Sequence, residues 1–399
     1  MDNHTLLLVP LIAVAAPMLA ALIGRVAVVP LVVFEIVLGI VAGPSVLGWI
    51  QPNEFISTLA NVGLALLFFV AGSEIDFAAI KGRPLIRAGL GWLISLVAAL
   101  ALGIALAPRL EAGVFIAIAL ASTALGAILP VLRDAGELQT PFGRAVTAIG
   151  AVGEFGPLLA ISLFLSGRQF DISLAVVIAF ALVAGVAIWL AGRGPHERLH
   201  GLVRATLHSS GQFAVRLILF IVAALVVLSL VLGLDMLLGA FAAGILWRVF
   251  SSGASRADRE VIETKIEAIA FGFLVPIFFI VTGMNFDLAA LVATPLTVLL
   301  VPAFLALLFI LRGLPGLLVA PPGSSWADRR ATVLFGSTSL PIIVAVTTIG
   351  QREHFLSSGV ATALVAAGML SVLLFPLIAL AQRRRHLARV GAFPDDDEL

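Results

Sequence analysis

The sequence predicts an all-α polytopic membrane protein: thirteen transmembrane helices, arranged as inverted repeats with two crossed broken helices. Three observations carry that prediction. Hydrophobic residues make up 61% of the 399 residues, charged ones only 12%, and the mean hydropathy is +1.16, more apolar surface than a soluble core of this length needs. Apolar stretches near 20 residues recur along the chain, and about 20 residues at 1.5 Å rise cross the hydrocarbon layer. Two of those stretches carry Ser-Thr beside Gly and Pro in mid-span. A β-barrel would show alternating segments of about ten residues, and none appear.

The spans are expected at about 5–24, 28–49, 55–73, 84–107, 113–132, 143–166, 171–192, 212–233, 235–250, 266–284, 296–320, 331–350 and 356–381. The first basic residue, Arg25, follows the first apolar run, so that run reads as a span and not as a secretory signal. Connections are short; the longest, Gly192 to Gly211, is polar, and its His196, His200 and His208 read as solvated. Residues 386–399 form a short cytoplasmic tail ending in Asp395-Asp396-Asp397-Glu398, expected to be unstructured. Charge tests the count independently. Of the 24 Lys and Arg, 20 fall on one side of the thirteen-span arrangement, three (Arg109, Arg168 and Arg352) on the other, and Arg312 within a span. The positive-inside rule then puts the N-terminus outside and the C-terminus in the cytoplasm. Trp49, Trp92, Trp189 and Trp247 fall near span ends, as an interfacial belt requires.

The fifth span reads Ala121-Ser122-Thr123-Ala124-Leu125-Gly126-Ala127-Ile128-Leu129-Pro130, and the twelfth Phe335-Gly336-Ser337-Thr338-Ser339-Leu340-Pro341. Pro removes a backbone donor and Gly lowers the cost of unwinding, so Gly126, Pro130, Gly336 and Pro341 mark two helix breaks. Unwound backbone survives in a membrane only where it lines a polar site or is buried in protein. The two spans lie seven apart; an odd separation makes them antiparallel, as inverted repeats require. That pairing points to a secondary transporter with its site near mid-membrane.

Each broken span has a charged neighbour. Glu154 lies in the apolar run Ala145–Leu165 and Arg312 in the run from Leu296 to Ala320. A charge near mid-bilayer costs roughly 2.5–3.5 kcal/mol on insertion scales, which suits an ion pathway or proton relay; a structural ion pair between helices is the blander use. Other charges read as structural or interfacial: Glu35 paired with a basic side chain, Lys265 and Glu267 at the start of the tenth span, Asp235 and Asp287 at wetted span ends, and Arg144 snorkelling. The chain has no Cys, no His cluster, no phosphate-cradling Gly-Lys-Ser/Thr loop and no dinucleotide fingerprint. Enzymatic chemistry, cofactors, nucleotide-driven pumping and nucleic-acid partners are therefore not expected.

Several segments resemble the monovalent cation:proton antiporter-2 family, which includes the membrane domains of glutathione-gated potassium efflux systems. They are Phe34-Glu35-Ile36-Val37-Leu38-Gly39-Ile40-Val41-Ala42-Gly43-Pro44-Ser45, Leu67-Phe68-Phe69-Val70-Ala71-Gly72-Ser73-Glu74-Ile75-Asp76, Ser122-Thr123, Leu132-Arg133-Asp134-Ala135-Gly136-Glu137-Leu138-Gln139-Thr140, Gly143-Arg144 and Pro276-Ile277-Phe278-Phe279-Ile280-Val281-Thr282-Gly283-Met284-Asn285-Phe286-Asp287. The resemblance implies the thirteen-helix sodium/proton antiporter fold and a homodimer in the cell (inner) membrane. Within residues 1–385, spans over 84–166 and 296–381 would form a moving core, and those over 5–73 and 212–284 a dimerisation scaffold. The transport carboxylate on the sixth helix aligns with Glu154, and the basic residue on the eleventh with Arg312. Two positions depart from the family pattern. Gly153 stands where a polar residue usually precedes the carboxylate, and Ser339-Leu340-Pro341 stands where many relatives have Gly-Glu-Phe. No counterpart of the nucleotide-sensing domain of the potassium efflux systems is expected.

The function expected is exchange of Na⁺ or K⁺ for protons by alternating access. Glu154 would bind a proton or the cation but not both, with Ser122, Thr123, Ser337 and Thr338 supplying oxygen ligands and Arg312 the charge partner. The alternatives are sodium-coupled symport of an organic anion and a membrane ion sensor that does not transport.

Overall fold

The computed structural model describes residues 3–23, 30–75, 80, 82–107, 109–165, 168–193, 212–253 and 255–390. Arg25, Lys81, the three histidines of the long loop and the acidic run at 395–398 lie outside them. Among the described residues every regular element is helical. Eleven helices are long and apolar enough to cross a membrane, and two shorter apolar helices, Leu31–Ala42 and Met236–Ser251, fall on the second and ninth expected spans. The protein is a multi-pass membrane protein.

Several boundaries differ from expectation. The second helix stops at Ala42 because Gly43-Pro44 follows; the chain turns back through Gly48 at φ +65°, where Gly48 N–H donates to Gly43 O at 2.8 Å. The tenth begins ten residues early, at Arg256, because Ser255 caps it, its Oγ accepting from Asp258 N–H at 3.1 Å. It continues through a wide-turn segment, Ala270–Leu274, into Val275–Met284. The eleventh is not one α-helix: Pro295–Leu307 passes into a π segment, Leu308–Gly313, and then a tight 3₁₀ segment, Leu314–Leu318. The last helix, Ser358–Val390, runs on into the expected tail. Trp92 and Trp247 are buried, not part of an interfacial belt, whereas Trp49 and Trp189 are exposed. Glu35 is buried, and no basic side chain pairs with it among the described residues.

By backbone contact the chain forms two compact units. One comprises Met1–Arg25, Leu31–Ile75 and Leu158–Phe286. Its helices pack through glycines. A Cβ at Gly39 would strike the Ile280 carbonyl, and one at Gly283 the Ile36 carbonyl, so Leu31–Ala42 and Val275–Met284 touch backbone to backbone. Gly72 and Gly244 make the same reciprocal contact between Glu54–Glu74 and Met236–Ser251. Lipid supplies no hydrophobic drive for helices to associate, so close approach over small residues takes its place.

The other unit comprises Val26–Pro30, Asp76–Pro157 and Asp287–Leu399. It holds both broken helices, Leu110–Leu120 with Leu125–Asp134, and Trp326–Gly336 with Pro341–Arg352. An apolar cluster of Ile128, Leu132, Phe142, Val146, Leu334, Phe335 and Phe375 fixes them against the helix Pro141–Phe164 and the last helix. Where the first broken helix finishes and the second begins, Arg383 ties them together. Its Nε donates to Asp328 Oδ1 at 2.8 Å, its NH1 lies 2.8 Å from Glu137 Oε1, and its guanidinium covers the Phe142 ring at 3.7 Å.

Candidate functional site

The first break spans Ala121 to Ala124 and the second Ser337 to Leu340. Gly336 closes the half-helix before the second break and Pro341 opens the one after it. Gly126 and Pro130 lie inside Leu125–Asp134, so the first unwinding precedes them and centres on Ser122-Thr123. Neither Gly-Pro pair acts alone. The breaks are held because their freed backbone groups find partners in each other and in neighbouring helices.

Five consecutive amides in the first break show this. Ala121 N–H donates to Ala117 O at 3.0 Å and Ser122 N–H to Ala119 O at 3.3 Å. Thr123 N–H donates to Gly153 O at 2.9 Å and Ala124 N–H to Thr338 O at 2.8 Å. Leu125 N–H donates to Glu154 Oε2 at 3.1 Å. Each of these five donors thus has an acceptor, as buried backbone demands. In the second break Ser371 Oγ accepts from Ser339 N–H at 3.0 Å and donates to carbonyls of Ser339 and Gly368 at 2.9 and 2.7 Å. The Ser122 and Ser339 hydroxyls are hydrogen-bonded to each other.

Glu154 is 1% exposed, on the helix Pro141–Phe164. Its carboxylate meets the first amide of Leu125–Asp134, where the helix dipole and uncapped N–H groups favour negative charge. No side chain of the break itself caps that half-helix, so a carboxylate from a different helix does so.

Arg312, also 1% exposed, sits in the π segment, a distortion common at functional sites. Its Nε donates to Thr123 Oγ1 at 2.7 Å and its NH2 to Ile149 O at 2.8 Å. Thr123 Oγ1 in turn donates to Gly336 O at 2.7 Å. One arginine and one hydroxyl thereby link the π segment, both breaks and the glutamate's helix.

Gly153 explains the space around the arginine. A Cβ there would fall 2.6 Å from both Cβ and Oγ1 of Thr123 and against the Arg312 guanidinium. The room a polar side chain would need before Glu154 is filled by Arg312 and Thr123. Gly153→Asn is expected to push the guanidinium off Ile149 and to destabilise the protein by about 1–3 kcal/mol, the usual cost of overpacking. A melting temperature equal to wild type in detergent would contradict this. Gly313 and Gly156 serve similarly: a Cβ at Gly313 would meet Ser337 Oγ, and one at Gly156 the Trp92 ring.

The structure gathers Ser122, Thr123, Ser337 and Thr338, all fully buried, at the two breaks. Their hydroxyl hydrogens are already engaged. Ser122 donates to Ala119 O at 2.6 Å, Ser337 to Val333 O at 2.8 Å and Thr338 to Leu334 O at 3.1 Å. What remains on each is oxygen lone pairs, the chemistry a hard cation takes. Sequence reasoning missed Ser339, Ser371 and the Ile149 carbonyl. Ser339 stood in the break motif; Ser371 is one hydroxyl in an apolar run and carried no signal. Among the described residues no three His, Asp or Glu gather into a metal cluster.

The family described as sodium/hydrogen exchanger, transmembrane, matches residues 11–380. A putative Na(+)/H(+) antiporter of Bacillus subtilis, YjbQ, is 24% identical over 372 residues, covering 88% of this chain and 58% of the relative. The Na(+)/H(+)-K(+) antiporter GerN of Bacillus cereus is 31% identical over 264 residues, covering 64% of this chain and 65% of the relative. The glutathione-regulated potassium-efflux system protein KefC of Klebsiella pneumoniae is 27% identical over 412 residues, covering 100% of this chain and 64% of the relative. The chain thus spans less than two thirds of the length of these three. They are transporters by name, in line with the expectation that this protein is not an enzyme. The fold matches that of the sodium proton antiporter MjNhaP1 from Methanocaldococcus jannaschii, with a TM-score of 0.67 at 15% identity over 96% of this chain and 98% of that one. From the match across residues 11–380, together with the crossed breaks and the buried charges, this chain belongs to the sodium/hydrogen exchanger family.

Proposed function

We propose that the protein exchanges a monovalent cation, Na⁺ or K⁺, for protons by alternating access, with Glu154 as the group for which the two compete. The observation that carries this reading is the buried Glu154 carboxylate at the N-terminus of Leu125–Asp134, beside two breaks whose hydroxyls offer lone pairs. A proton on Glu154 removes the negative charge that would hold a cation; a cation there displaces the proton. Exclusive occupancy couples the two fluxes without nucleotide or covalent chemistry. One carboxylate exchanging one proton for one monovalent ion makes the cycle electroneutral. Ser122, Thr123, Ser337 and Thr338 supply oxygens to the cation. Arg312 acts as the fixed charge of the site and orients Thr123. The names of the relatives support the same ions.

The unit containing both breaks acts as the moving core and the other as the scaffold, through which a homodimer forms. The protein lies in the cell (inner) membrane; its N-terminus is outside and its C-terminus in the cytoplasm, an orientation that the distribution of Lys and Arg supports. The test is proton efflux from acid-loaded everted vesicles on adding Na⁺, K⁺ or Li⁺. Cation-dependent alkalinisation is expected, falling to the level of protein-free vesicles in Glu154→Gln while the variant still elutes as a folded species. Wild-type exchange in that variant would remove Glu154 from the mechanism; no response of wild-type protein to any of the three ions would remove exchange itself.

A further inference from the structure

A second cavity-forming cluster of charge lies in the unit that holds the breaks, away from Glu154. A cavity of about 250 Å³ is lined by Arg83, Arg87 and Arg144 together with Pro84, Pro141 and the 319–322 turn. None of the three guanidinium groups has a hydrogen-bond or ion-pair partner among the described residues, and no acidic side chain lines the space. Two helices, Arg83–Leu106 and Pro141–Phe164, begin at its wall, each with proline in its first turn. Their N-terminal amides add positive potential to that of the guanidinium groups. Arg83 and Arg144 are exposed and Arg87 is half-buried, and among the described residues no carboxylate offsets their charge, which leaves the space open to an anion from outside.

The neighbouring surface indicates which anion. Arg83 and Arg87 stand one turn apart on a helix whose following turns expose Ile86, Leu90, Ile94 and Val97. Leu317 and Leu318, just before Val319 of the cavity wall, are also exposed. A basic pocket thus opens at the head of an apolar, lipid-facing stripe. All three arginines belong to the Lys- and Arg-rich side of the molecule, the side on which anionic lipid attracts basic pockets between helices.

We propose that this cavity is a binding site for the phosphate group of an anionic phospholipid, whose acyl chains lie along the exposed stripe. Arginine suits the role because its planar fork binds phosphate oxygens in pairs. The proposal is independent of which ion Glu154 carries, since no residue is shared.

The test is the melting temperature of the full chain in detergent, titrated with phosphatidylglycerol, with phosphatidylcholine or with inorganic phosphate. The variants are Arg87→Gln, Arg144→Gln and the triple Arg83→Gln/Arg87→Gln/Arg144→Gln. Phosphatidylglycerol is expected to raise the midpoint of wild type with saturation, phosphatidylcholine and phosphate to do so far less. Each single variant should need about fivefold more phosphatidylglycerol for the same shift, and the triple on the order of a hundredfold more. The single variants keep the test decisive should the triple fail to fold. An equal response of wild type and single variants, or equal response to the two lipids, would mean that the arginines merely snorkel and would overturn the site. A full shift with inorganic phosphate alone would overturn the lipid as its source.

Discussion

Arg312→Met is expected to produce a large loss of stability together with loss of cation-dependent proton movement. Arg312 is the largest fully buried side chain among the described residues. Methionine roughly fills its volume, so the effect isolates the guanidinium rather than a cavity. Its removal deprives Thr123 Oγ1 and Ile149 O of charge-assisted donors, each worth about 1.5–3 kcal/mol. Together the two lost bonds put the cost at about 3–6 kcal/mol. Arg312→Lys should recover only part of this, because an ammonium on a single stem lacks the fork that reaches Thr123 from Nε and Ile149 from NH2. The measurement is thermal unfolding of both variants in detergent, beside vesicle exchange. If the methionine variant melts with the wild type, Arg312 does not hold the breaks together.

Gly244→Val is expected to be at least as damaging, by a different route. A Cβ at Gly244 would meet the Phe69 carbonyl and lie 2.7 Å from Ser73 N, both backbone atoms that cannot rotate away. The facing Gly72 has the same relation to the Phe241 carbonyl, so neither helix can yield without losing the other contact. Overpacking costs about 1–3 kcal/mol where side chains can shift. Here only helix separation relieves it, so the expected cost is about 3 kcal/mol or more. The readout is the fraction of extracted protein eluting as one symmetric species. Gly185→Val is the control, because nothing stands within 4 Å of a Cβ there. Equal behaviour of the two variants would show that the Gly72–Gly244 contact is not a constraint on the fold.

Much of this architecture was legible because it follows from length and apolar content. The long apolar runs became helices near the expected positions, and the Ser-Thr pairs marked the unwound residues. What failed depends on contacts remote in sequence. Gly126 and Pro130 look like the breaking residues, yet the chain unwinds before them, where Thr338 and Gly153 offer acceptors. Nothing in Leu308–Gly313 announces a π segment, whose Arg312 reaches Thr123 on the first break. Gly153 read as a missing partner because a single sequence cannot show that an arginine 159 positions away fills its space. Trp92 was assigned to the membrane surface by its place near a span end, but Gly156 opens a buried seat for its ring. Glu35 invited an ion pair that the described helices around it do not supply.

The hydrogen bond from Leu125 N–H differs from its four neighbours in one respect. Those four amides donate to peptide carbonyls, whose acceptor strength is constant, whereas this one donates to a carboxylate. The start of the half-helix Leu125–Asp134 is therefore linked to the chemical state of a single side chain, and that link is reciprocal. Whatever neutralises or coordinates Glu154 weakens one backbone bond, and whatever lengthens that bond alters the basicity of Glu154. Leu125 is thus a resident reporter: its amide nitrogen resonance would register the occupancy of the carboxylate without a label on the ion.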